Sequence, residues 1–279
     1  MPELPEVETV RCGLEGVTLN QKVTGGDVLL SRTIAYPLSV DEFIAGIKGK
    51  AFTQWQRRGK YLLAQMDDSS YLGVHLRMTG QLLWMHPNEP LHKHTRVRLF
   101  FDAGRELRFV DQRTFGQMWW VPPNMAIASV ITGLAKLGLD PFSSAFTVDY
   151  LAAKLKNSRR SIKAALLDQA IVAGIGNIYA DEALFIANIL PSTLCTNLQI
   201  SQVEKLHAAI IQVLAASIAV GGTTFSDFVN IQGINGNYSG VAWVYNRTGE
   251  PCQICSTPIE RIRLAGRSSH FCPQCQNNS

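Results

Sequence analysis

The stretch CQICSTPIERIRLAGRSSHFCPQC, residues 252–275, decides the fold of the carboxyl end of this 279-residue chain. It holds two C-x-x-C pairs with sixteen residues between them, formed by Cys252, Cys255, Cys272 and Cys275. This spacing is typical of a four-cysteine zinc site, in which each pair supplies two thiolates from a tight turn. The alternative is a pair of disulfides, which needs an oxidising compartment that nothing else in the sequence indicates.

The segment between the two pairs has the length of a two-stranded hairpin, with Gly266 near its tip. Because four cysteine ligands leave no open coordination position, we expect one structural zinc ion and no catalytic metal. A module of roughly 30 residues buries too little apolar surface to fold alone, so metal binding would supply the missing stability. The other cysteines, Cys12 and Cys195, are expected to be buried thiols.

Upstream of this finger, the hydrophobic pattern divides the chain into two further parts. Residues 148–169 and 200–220 carry apolar side chains at helical spacing, and glycine-punctuated turns between them lead into another helix. Residues 23–121 instead show short alternating segments interrupted by turn residues, which is typical of antiparallel strands. The predicted fold is α+β: an antiparallel β-sandwich with flanking helices (1–135), a helical domain with a helix-two-turn-helix (136–243) and the zinc finger (244–279).

The composition is that of a folded protein, and the net charge is compatible with binding a nucleic acid. The hydrophobic fraction is 46%, the charged fraction is 17%, and the net charge is +4 with a pI near 8.7. Such a mildly basic balance permits a nucleic-acid partner without requiring one. No apolar run is long enough to cross a bilayer, and the amino terminus does not have the pattern of a secretory signal. We therefore expect an intracellular protein of the cytoplasm or nucleoid, with no membrane partner.

The stretch KLKNSRRSIK, residues 154–163, holds five cations and no acid. On a continuous helix four of them would share one face: Lys156, Arg159, Arg160 and Lys163. The simpler interpretation is a solvated helix surface. The alternative gains weight from the next segment, where glycines deliver Asn177 to a helix start whose free N–H groups can hold a phosphate.

Two loops, HLRMTG (75–80) and DQRTFG (111–116), each follow a strand-like run and carry a bulky apolar residue near a glycine. Met78 and Phe115 are either ordinary core caps or wedges that enter between base pairs. Arg113, beside Phe115, has the planar donor group that suits a base edge.

At the amino terminus, the pattern of MPELPEVETV (1–10) predicts a helix start, with Pro2 in the first turn and acids at the positive end of the helix dipole.

Taken together in chain order, these motifs resemble the bacterial formamidopyrimidine-DNA glycosylase family. The resemblance rests on PELPEVET, RRGKYLL, the MTG and RTFG loops, GIGNIYADE and the four-cysteine finger, and it covers the whole chain. PELPE favours this branch over the related endonuclease VIII glycosylases, which typically begin with PEGPE. The resemblance implies a bifunctional DNA glycosylase and AP lyase that removes oxidised purines such as 8-oxoguanine and formamidopyrimidines, and then cleaves the strand by β,δ-elimination.

By this resemblance, the nucleophile is the amino group of Pro2 after removal of Met1. An α-amine ordinarily has a pKa near 7.7–8.0 against about 10.4 for lysine, so more of it is unprotonated at neutral pH. The resemblance makes Glu3 the acid/base and Glu6 its support. Lys60 contacts phosphate and assists β-elimination, and Arg267 grips the phosphates around the lesion and assists δ-elimination.

The family resemblance also implies a set of DNA contacts. Met78, Arg113 and Phe115 fill the gap left by the extruded base, while the backbone-binding positions are His94, Arg159, Lys163 and Asn177. The Asn/Gly-rich segment through Tyr238, with Thr223 and Thr224, would cover the lesion, although it could be only a tether to the finger. Many relatives have a basic residue where this chain has Thr114, so we expect a slightly weaker backbone grip there.

The implied partner is double-stranded DNA that contains oxidised bases or abasic sites, bound by a monomer without an organic cofactor. Two rival interpretations stay open at this point. One is an endonuclease VIII-like glycosylase for oxidised pyrimidines. The other is a catalytically inactive zinc-finger DNA-binding protein, which the presence of Pro2, Glu3, Glu6 and Lys60 disfavours because binding alone needs no terminal amine.

Overall fold

The amino-terminal helix α1 spans Leu4–Thr18 and buries Val7, Val10 and Leu14, as their spacing predicts. The computed structural model describes residues 1–223, 229–236, 240 and 242–277. The chain divides into two compact units. The first is residues 1–135 with 221–237, and the second is residues 136–220 with 238–279. Thus the 221–237 segment groups with the amino-terminal unit and the finger groups with the helical one, a different grouping from the predicted three consecutive segments.

The first unit is built from two β-sheets and flanking helices. After α1 come β1 (Val23–Val28), β2 (Ile34–Tyr36), α2 (Val40–Ile47), β3 (Phe52–Arg58), β4 (Tyr61–Met66), β5 (Tyr71–His75), β6 (Gly80–Met85), β7 (Thr95–Phe101), β8 (Glu106–Asp111), β9 (Gln117–Val121) and α3 (Ile127–Val130). One sheet has the order β1-β7-β8-β6 and the other β2-β9-β5-β4-β3. All pairs are antiparallel except β2 with β9, which is parallel.

The core of the first unit lies between the two sheets and under α1 and α2. Phe52 of one sheet packs edge-to-face on Phe101 of the other, with ring centroids 5.7 Å apart. Trp55 is buried against α1, and its indole N–H donates to Thr18 Oγ1 over 2.8 Å. Strand β7 alternates between buried and partly exposed positions along its length, which is the period expected of a strand with one face on the core.

The second unit is mainly helical and ends in the finger. Its elements are α4 (Val148–Leu155), α5 (Ile162–Leu166), α6 (Asn177–Ile186), α7 (Ile200–Ala219), β10 (Glu260–Leu264) and β11 (Arg267–Phe271). The hairpin predicted between the cysteine pairs is present, and Leu264 pairs with Arg267 across its two-residue turn. Both turn residues, Ala265 and Gly266, have positive φ, which is the geometry of a type I′ turn.

The predicted continuous helix through the basic stretch is wrong. Residues 156–161 form a break between α4 and α5, so their cations do not line one helix face. The physical reason is local: the Ser161 hydroxyl accepts a hydrogen bond from the Ala164 N–H over 3.3 Å and starts a new helix.

The prediction that Cys12 is buried is also wrong, because this thiol is exposed, whereas Cys195 is buried as expected. Among the described residues, no helix combines the length and apolar character that a bilayer crossing requires.

Candidate active site

Residues 2–6, which follow the exposed Met1, are buried in the first unit. Pro2 is buried, and Glu3 and Glu6 are only 2% and 1% exposed. Glu3 is the N-cap of α1, and the Glu3 and Glu6 side chains make the reciprocal hydrogen bonds of a capping box. In that box the Glu3 N–H donates to Glu6 Oε2 over 2.8 Å. A proline and two carboxylates are therefore held together at a helix start that is withdrawn from solvent.

The second oxygen of the Glu6 carboxylate reaches a distant part of the sequence. Glu6 Oε1 accepts from the backbone N–H of Thr223 over 2.9 Å. The preceding residue, Gly222, has φ +80°, and a Cβ at this position would lie 3.0 Å from the same oxygen. The Thr223 hydroxyl is buried and has no hydrogen-bond partner among the residues that the structure describes. Glu6 thus couples the amino terminus to the 221–223 segment. The other residues predicted to cover a lesion, Thr224 and Tyr238, lie outside the described residues.

Lys60 lies in the tight turn between β3 and β4, in the same unit, and only 6% of it is exposed. The turn depends on Gly59, which has φ +57°. Arg57 supports it by donating to the Gly59 carbonyl over 3.3 Å and to Glu8 of α1 over 2.8 Å. Desolvation, followed by the charges of Arg77 and Lys60, lowers the pKa of the buried His75 to about 3. An ammonium group is therefore held near a histidine that is neutral at physiological pH.

The first unit has two loops, residues 76–79 and 112–116, that carry the predicted wedge residues (the wedge loops). Arg113 and Phe115 are exposed, and the Arg113 guanidinium lies 5.1 Å from the centre of the Phe115 ring. Met78 is half-buried on the other loop. Thr114 has φ +58° and accepts a hydrogen bond from Arg32, so an arginine from elsewhere in the sequence lies beside the position that lacks a basic residue.

His94 lies on the long connection between β6 and β7. Partial desolvation and then the neighbouring charges of Lys93, Arg96 and His92 lower its pKa. Its Nδ1 is 3.1 Å from the Arg96 guanidinium. His94 therefore lies among cationic side chains.

In the second unit, the predicted phosphate anchors do not all face solvent. Arg159 is exposed in the break between α4 and α5. Asn177 is the first residue of α6; its amide donates to Ser268 Oγ over 3.4 Å, and its Oδ1 is buried without a partner among the described residues. Lys163 is fully buried. Its ammonium is compensated there by an ion pair with Asp181 and by a hydrogen bond that it donates to the Asn177 carbonyl over 2.9 Å. Lys163 thus braces the start of α6 from inside.

The finger strand that begins with Arg267 is fixed to α6 by Asp181. The Ser269 hydroxyl donates to Asp181 Oδ1 over 2.8 Å, and the His270 N–H donates to Oδ2 over 3.0 Å. Arg267 itself is exposed at the hairpin turn. The next acid, Glu182, accepts from the three successive backbone N–H groups of residues 243–245. Burial raises the pKa of Glu182, and these three donors oppose that rise.

Sequence reasoning missed Asp181 and Glu182 as organising residues. A signal was present, because two adjacent acids stand inside the apolar run NIYADEALFIA, and buried carboxylates require donors.

The four finger cysteines converge as the spacing predicts. Their sulphur atoms all lie within 4.8 Å of one another, with Sγ–Sγ distances of 3.4 Å for Cys255–Cys272 and 3.8 Å for Cys252–Cys275. Zinc–sulphur bonds of about 2.3 Å in a tetrahedron would place the sulphurs about 3.8 Å apart. The donor set and its spacing therefore fit a zinc ion with four thiolate ligands.

A β-sandwich unit with a buried amino-terminal proline–glutamate start, together with a helical unit ending in a four-cysteine finger, defines a class of DNA glycosylases. Three family models match the chain in order. They are the formamidopyrimidine-DNA glycosylase N-terminal domain over residues 1–118, the H2TH domain of the same glycosylase over residues 137–229, and the zinc finger found in FPG and IleRS over residues 249–278.

Curated relatives and solved structures agree with these matches. The formamidopyrimidine-DNA glycosylase of Nostoc punctiforme is 70% identical over 279 residues, covering 99% of this chain and 96% of the relative. That of Acaryochloris marina is 62% identical and covers all of both chains. A Lactococcus lactis FPG mutant, solved with Fapy-dG-containing DNA, has a TM-score of 0.91 at 34% identity and covers 99% of this chain and 100% of its own.

A second Lactococcus lactis Fpg structure, solved with abasic-site DNA, has a TM-score of 0.90 at the same identity and coverage. The chain belongs to the formamidopyrimidine-DNA glycosylase family. Base-excision repair glycosylase activity is the function that this membership supports, and the endonuclease VIII-like and inactive alternatives are not favoured.

Proposed function

We propose that the chain excises oxidised purines from duplex DNA and then cleaves the strand at the resulting abasic site. The observation that carries the proposal is the burial of Pro2 at the start of α1, next to the hydrogen-bonded pair Glu3 and Glu6, which is also buried. Burying two carboxylates is unfavourable unless hydrogen-bond donors compensate them. Capping a helix does not require this burial, because an N-cap side chain can do so while it is exposed to solvent. A nucleophile with an acid/base beside it explains why this helix start lies inside the protein.

The proposed chemistry begins once Met1 has been removed, because Pro2 then carries a secondary amine. The Pro2 nitrogen forms a bond to C1′ of the deoxyribose while the bond from C1′ to the base breaks, and the base leaves with the electron pair. As the base leaves and the ring opens, the base and the ring oxygen each take up a proton. Glu3 donates one of these protons, and the other is the N–H proton that the Pro2 nitrogen gives up as its lone pair forms the double bond to C1′. The resulting iminium has no N–H proton to lose, so it stays cationic and acidifies the C2′–H bond.

Strand cleavage follows from that acidity. Loss of the C2′ proton expels the 3′ phosphate in β-elimination, and a second elimination expels the 5′ phosphate. The product is a one-nucleotide gap with a phosphate at both ends. Lys60 is proposed to assist the first elimination and Arg267 the second. The exposed position of Arg267 at the hairpin turn suits contact with phosphate.

The DNA contacts are proposed at the same positions as in the sequence-based prediction, with one change of role. Met78, Arg113 and Phe115 would fill the space of the extruded base. His94, Arg159 and Asn177 would hold the backbone. Because its ammonium is buried, Lys163 is proposed to support Asn177 from within instead of contacting phosphate. Thr223, Thr224 and Tyr238 stay proposed lesion-covering residues.

We further propose one structural zinc ion, held by Cys252, Cys255, Cys272 and Cys275, which closes the finger and keeps Arg267 rigid. The protein is proposed to act as a monomer on duplex DNA with oxidised bases or abasic sites, inside the cell. It would need no organic cofactor, because the amine and the carboxylates supply the chemistry.

Excision assays with duplexes that contain 8-oxoguanine or thymine glycol test the proposal. We expect faster release of 8-oxoguanine and products with phosphate at both ends of the gap. Glu3→Gln should slow base release by about 10²–10⁴-fold. The control Glu15→Gln, at the far end of α1, should leave it unchanged. Preference for thymine glycol would favour an endonuclease VIII-like enzyme, and an intact abasic strand after incubation would favour a binding protein without catalysis.

A further inference from the structure

The two wedge loops meet at one buried carboxylate that the mechanism above does not use. Asp111 is the last residue of β8 and is only 1% exposed. Its Oδ1 accepts from the Thr79 hydroxyl over 2.5 Å, and its Oδ2 accepts from the Gly116 N–H over 2.7 Å. Thr79 follows Met78 on one loop, and Gly116 follows Phe115 on the other. One side chain therefore joins the two loops directly behind their apolar tips.

Thr79 extends this connection to Arg113. Its Oγ1 donates to Asp111 and at the same time accepts from the backbone N–H of Arg113 over 3.0 Å. A hydroxyl that is both donor and acceptor fixes the separation of its two partners. The hydrogen bonds to Asp111 are made to a desolvated anion, which makes them stronger than bonds between neutral groups.

We propose that Asp111 and Thr79 are positioning residues that hold Met78, Arg113 and Phe115 ready to enter a DNA duplex; this inference rests on the proposed function. The tips of Arg113 and Phe115 are exposed and have little packing of their own. Left unrestrained, exposed loops would lose conformational entropy when they enter the duplex. Because the hydrogen bond between Thr79 and the buried Asp111 already restrains the loops, that entropy is lost during folding and not during DNA binding.

The backbone of Asp111 is also hydrogen-bonded to the segment that carries His94, another candidate DNA contact. Its N–H donates to the His94 carbonyl over 2.9 Å, and its own carbonyl accepts from Arg96 Nε over 2.8 Å. The same Arg96 guanidinium lies 3.1 Å from His94 Nδ1. The candidate backbone contact and the two wedge loops thus share one anchor.

Gly116 shows how closely the second loop must approach this anchor. A Cβ at this position would lie 2.3 Å from the Phe109 ring and 3.0 Å from Asp111 Oδ2. Only a residue without a side chain lets the backbone N–H reach the carboxylate. The glycine of the RTFG motif is therefore explained by its close packing on the Phe109 ring and on the Asp111 carboxylate.

The test compares duplex and single-stranded substrates for Thr79→Val, which removes the hydroxyl but keeps the side-chain shape. Extrusion leaves a gap only in a duplex, so the wedge loops should not matter for an abasic site in a single strand. We expect single-turnover excision of 8-oxoguanine from duplex DNA to fall about tenfold or more, with abasic strand cleavage in a single strand unchanged within about twofold. Asp111→Asn should give the same pattern.

Two further variants show whether a negative result concerns the positioning role of Thr79 or the wedge residues themselves. Thr53→Val is the matched control, since the Thr53 hydroxyl also makes an intramolecular hydrogen bond, to the Gln65 carbonyl over 3.2 Å, away from the wedge loops. Phe115→Ala measures the wedge effect itself. If Phe115→Ala slows the duplex reaction and Thr79→Val does not, or if Thr79→Val slows both substrates equally, the positioning role is overturned. If the unmodified protein cleaves neither substrate, the proposed function fails instead.

Discussion

His75 is buried in the first unit, in an environment very different from that of an exposed histidine. It ends β5, pairs in register with Tyr61 and packs edge-to-face on that ring at 4.5 Å. Its Nδ1 accepts from the Arg77 N–H over 3.0 Å. The imidazole is therefore buried in its neutral form between cationic neighbours, and charging it in the folded state is unfavourable.

This burial predicts a pH dependence of stability. Because the folded pKa of His75 is about 3 and the ordinary value is 6.5, only the unfolded chain binds this proton between those values. The free energy of unfolding should therefore fall as pH is lowered from about 6.5 towards 3, by on the order of 4–5 kcal/mol from this residue. His75→Asn should flatten that part of the curve, measured by urea unfolding at several pH values.

The matched control for this measurement is His92→Asn, which changes an exposed histidine. Its pH profile should follow that of the unmodified protein. If His75→Asn keeps the full slope between pH 6.5 and 4, the slope arises from carboxylates and the buried neutral histidine is not its source.

At the scale of elements, the pairing of α6 with β11 depends on Asp181. Asp181→Asn would leave the buried Lys163 ammonium without its counter-charge, and breaking a buried pair in this way typically costs about 3–5 kcal/mol. We expect a lower urea midpoint and faster amide exchange at Ser269 and His270 of β11. The double change Lys163→Met with Asp181→Asn should recover part of the loss, because no unpaired charge remains.

Asp168→Asn is the control for this prediction, because Asp168 forms an exposed pair with Arg160 that should contribute about 0–1 kcal/mol. Equal stability of Asp181→Asn and Asp168→Asn would contradict the assignment of Asp181 as the anchor of β11.

Elements with a local cause were predictable from the sequence, whereas those with a distant cause were not. The finger hairpin follows from cysteine spacing and a glycine turn, and α7 follows from twenty residues of helical period. The break between α4 and α5 was missed because apolar spacing continues across it while Ser161 starts a new helix. The parallel pairing of β2 with β9 joins strands about 80 residues apart, and no local pattern encodes it.

The same distinction applies to the candidate site. The motifs brought Pro2, Glu3 and the four cysteines to notice, because each stands in a short pattern with a chemical reason. Asp111 was not singled out, since its role depends on Thr79 and Gly116 reaching it from separate loops. Contacts made across a fold leave little trace in sequence spacing.

At the scale of the whole molecule, the chain order and the spatial grouping differ. Residues 221–237 follow the long helix α7 of the second unit but belong to the first unit, where Thr223 meets Glu6. The proposed lesion-covering segment is thus connected in sequence to the helical unit and bonded to the amino terminus. This hydrogen bond joins the start of the chain to a segment 217 positions away in the sequence.

The most direct measurement is the site of covalent attachment to DNA. The purified, zinc-loaded protein is incubated with an 8-oxoguanine duplex in the presence of borohydride, digested with protease and analysed by tandem mass spectrometry. The account predicts a reduced deoxyribose adduct on Pro2, in peptides that begin with Pro2 and lack Met1. An adduct located on Lys60 or another lysine, or equal trapping by protein whose terminal amine has been blocked, would contradict it.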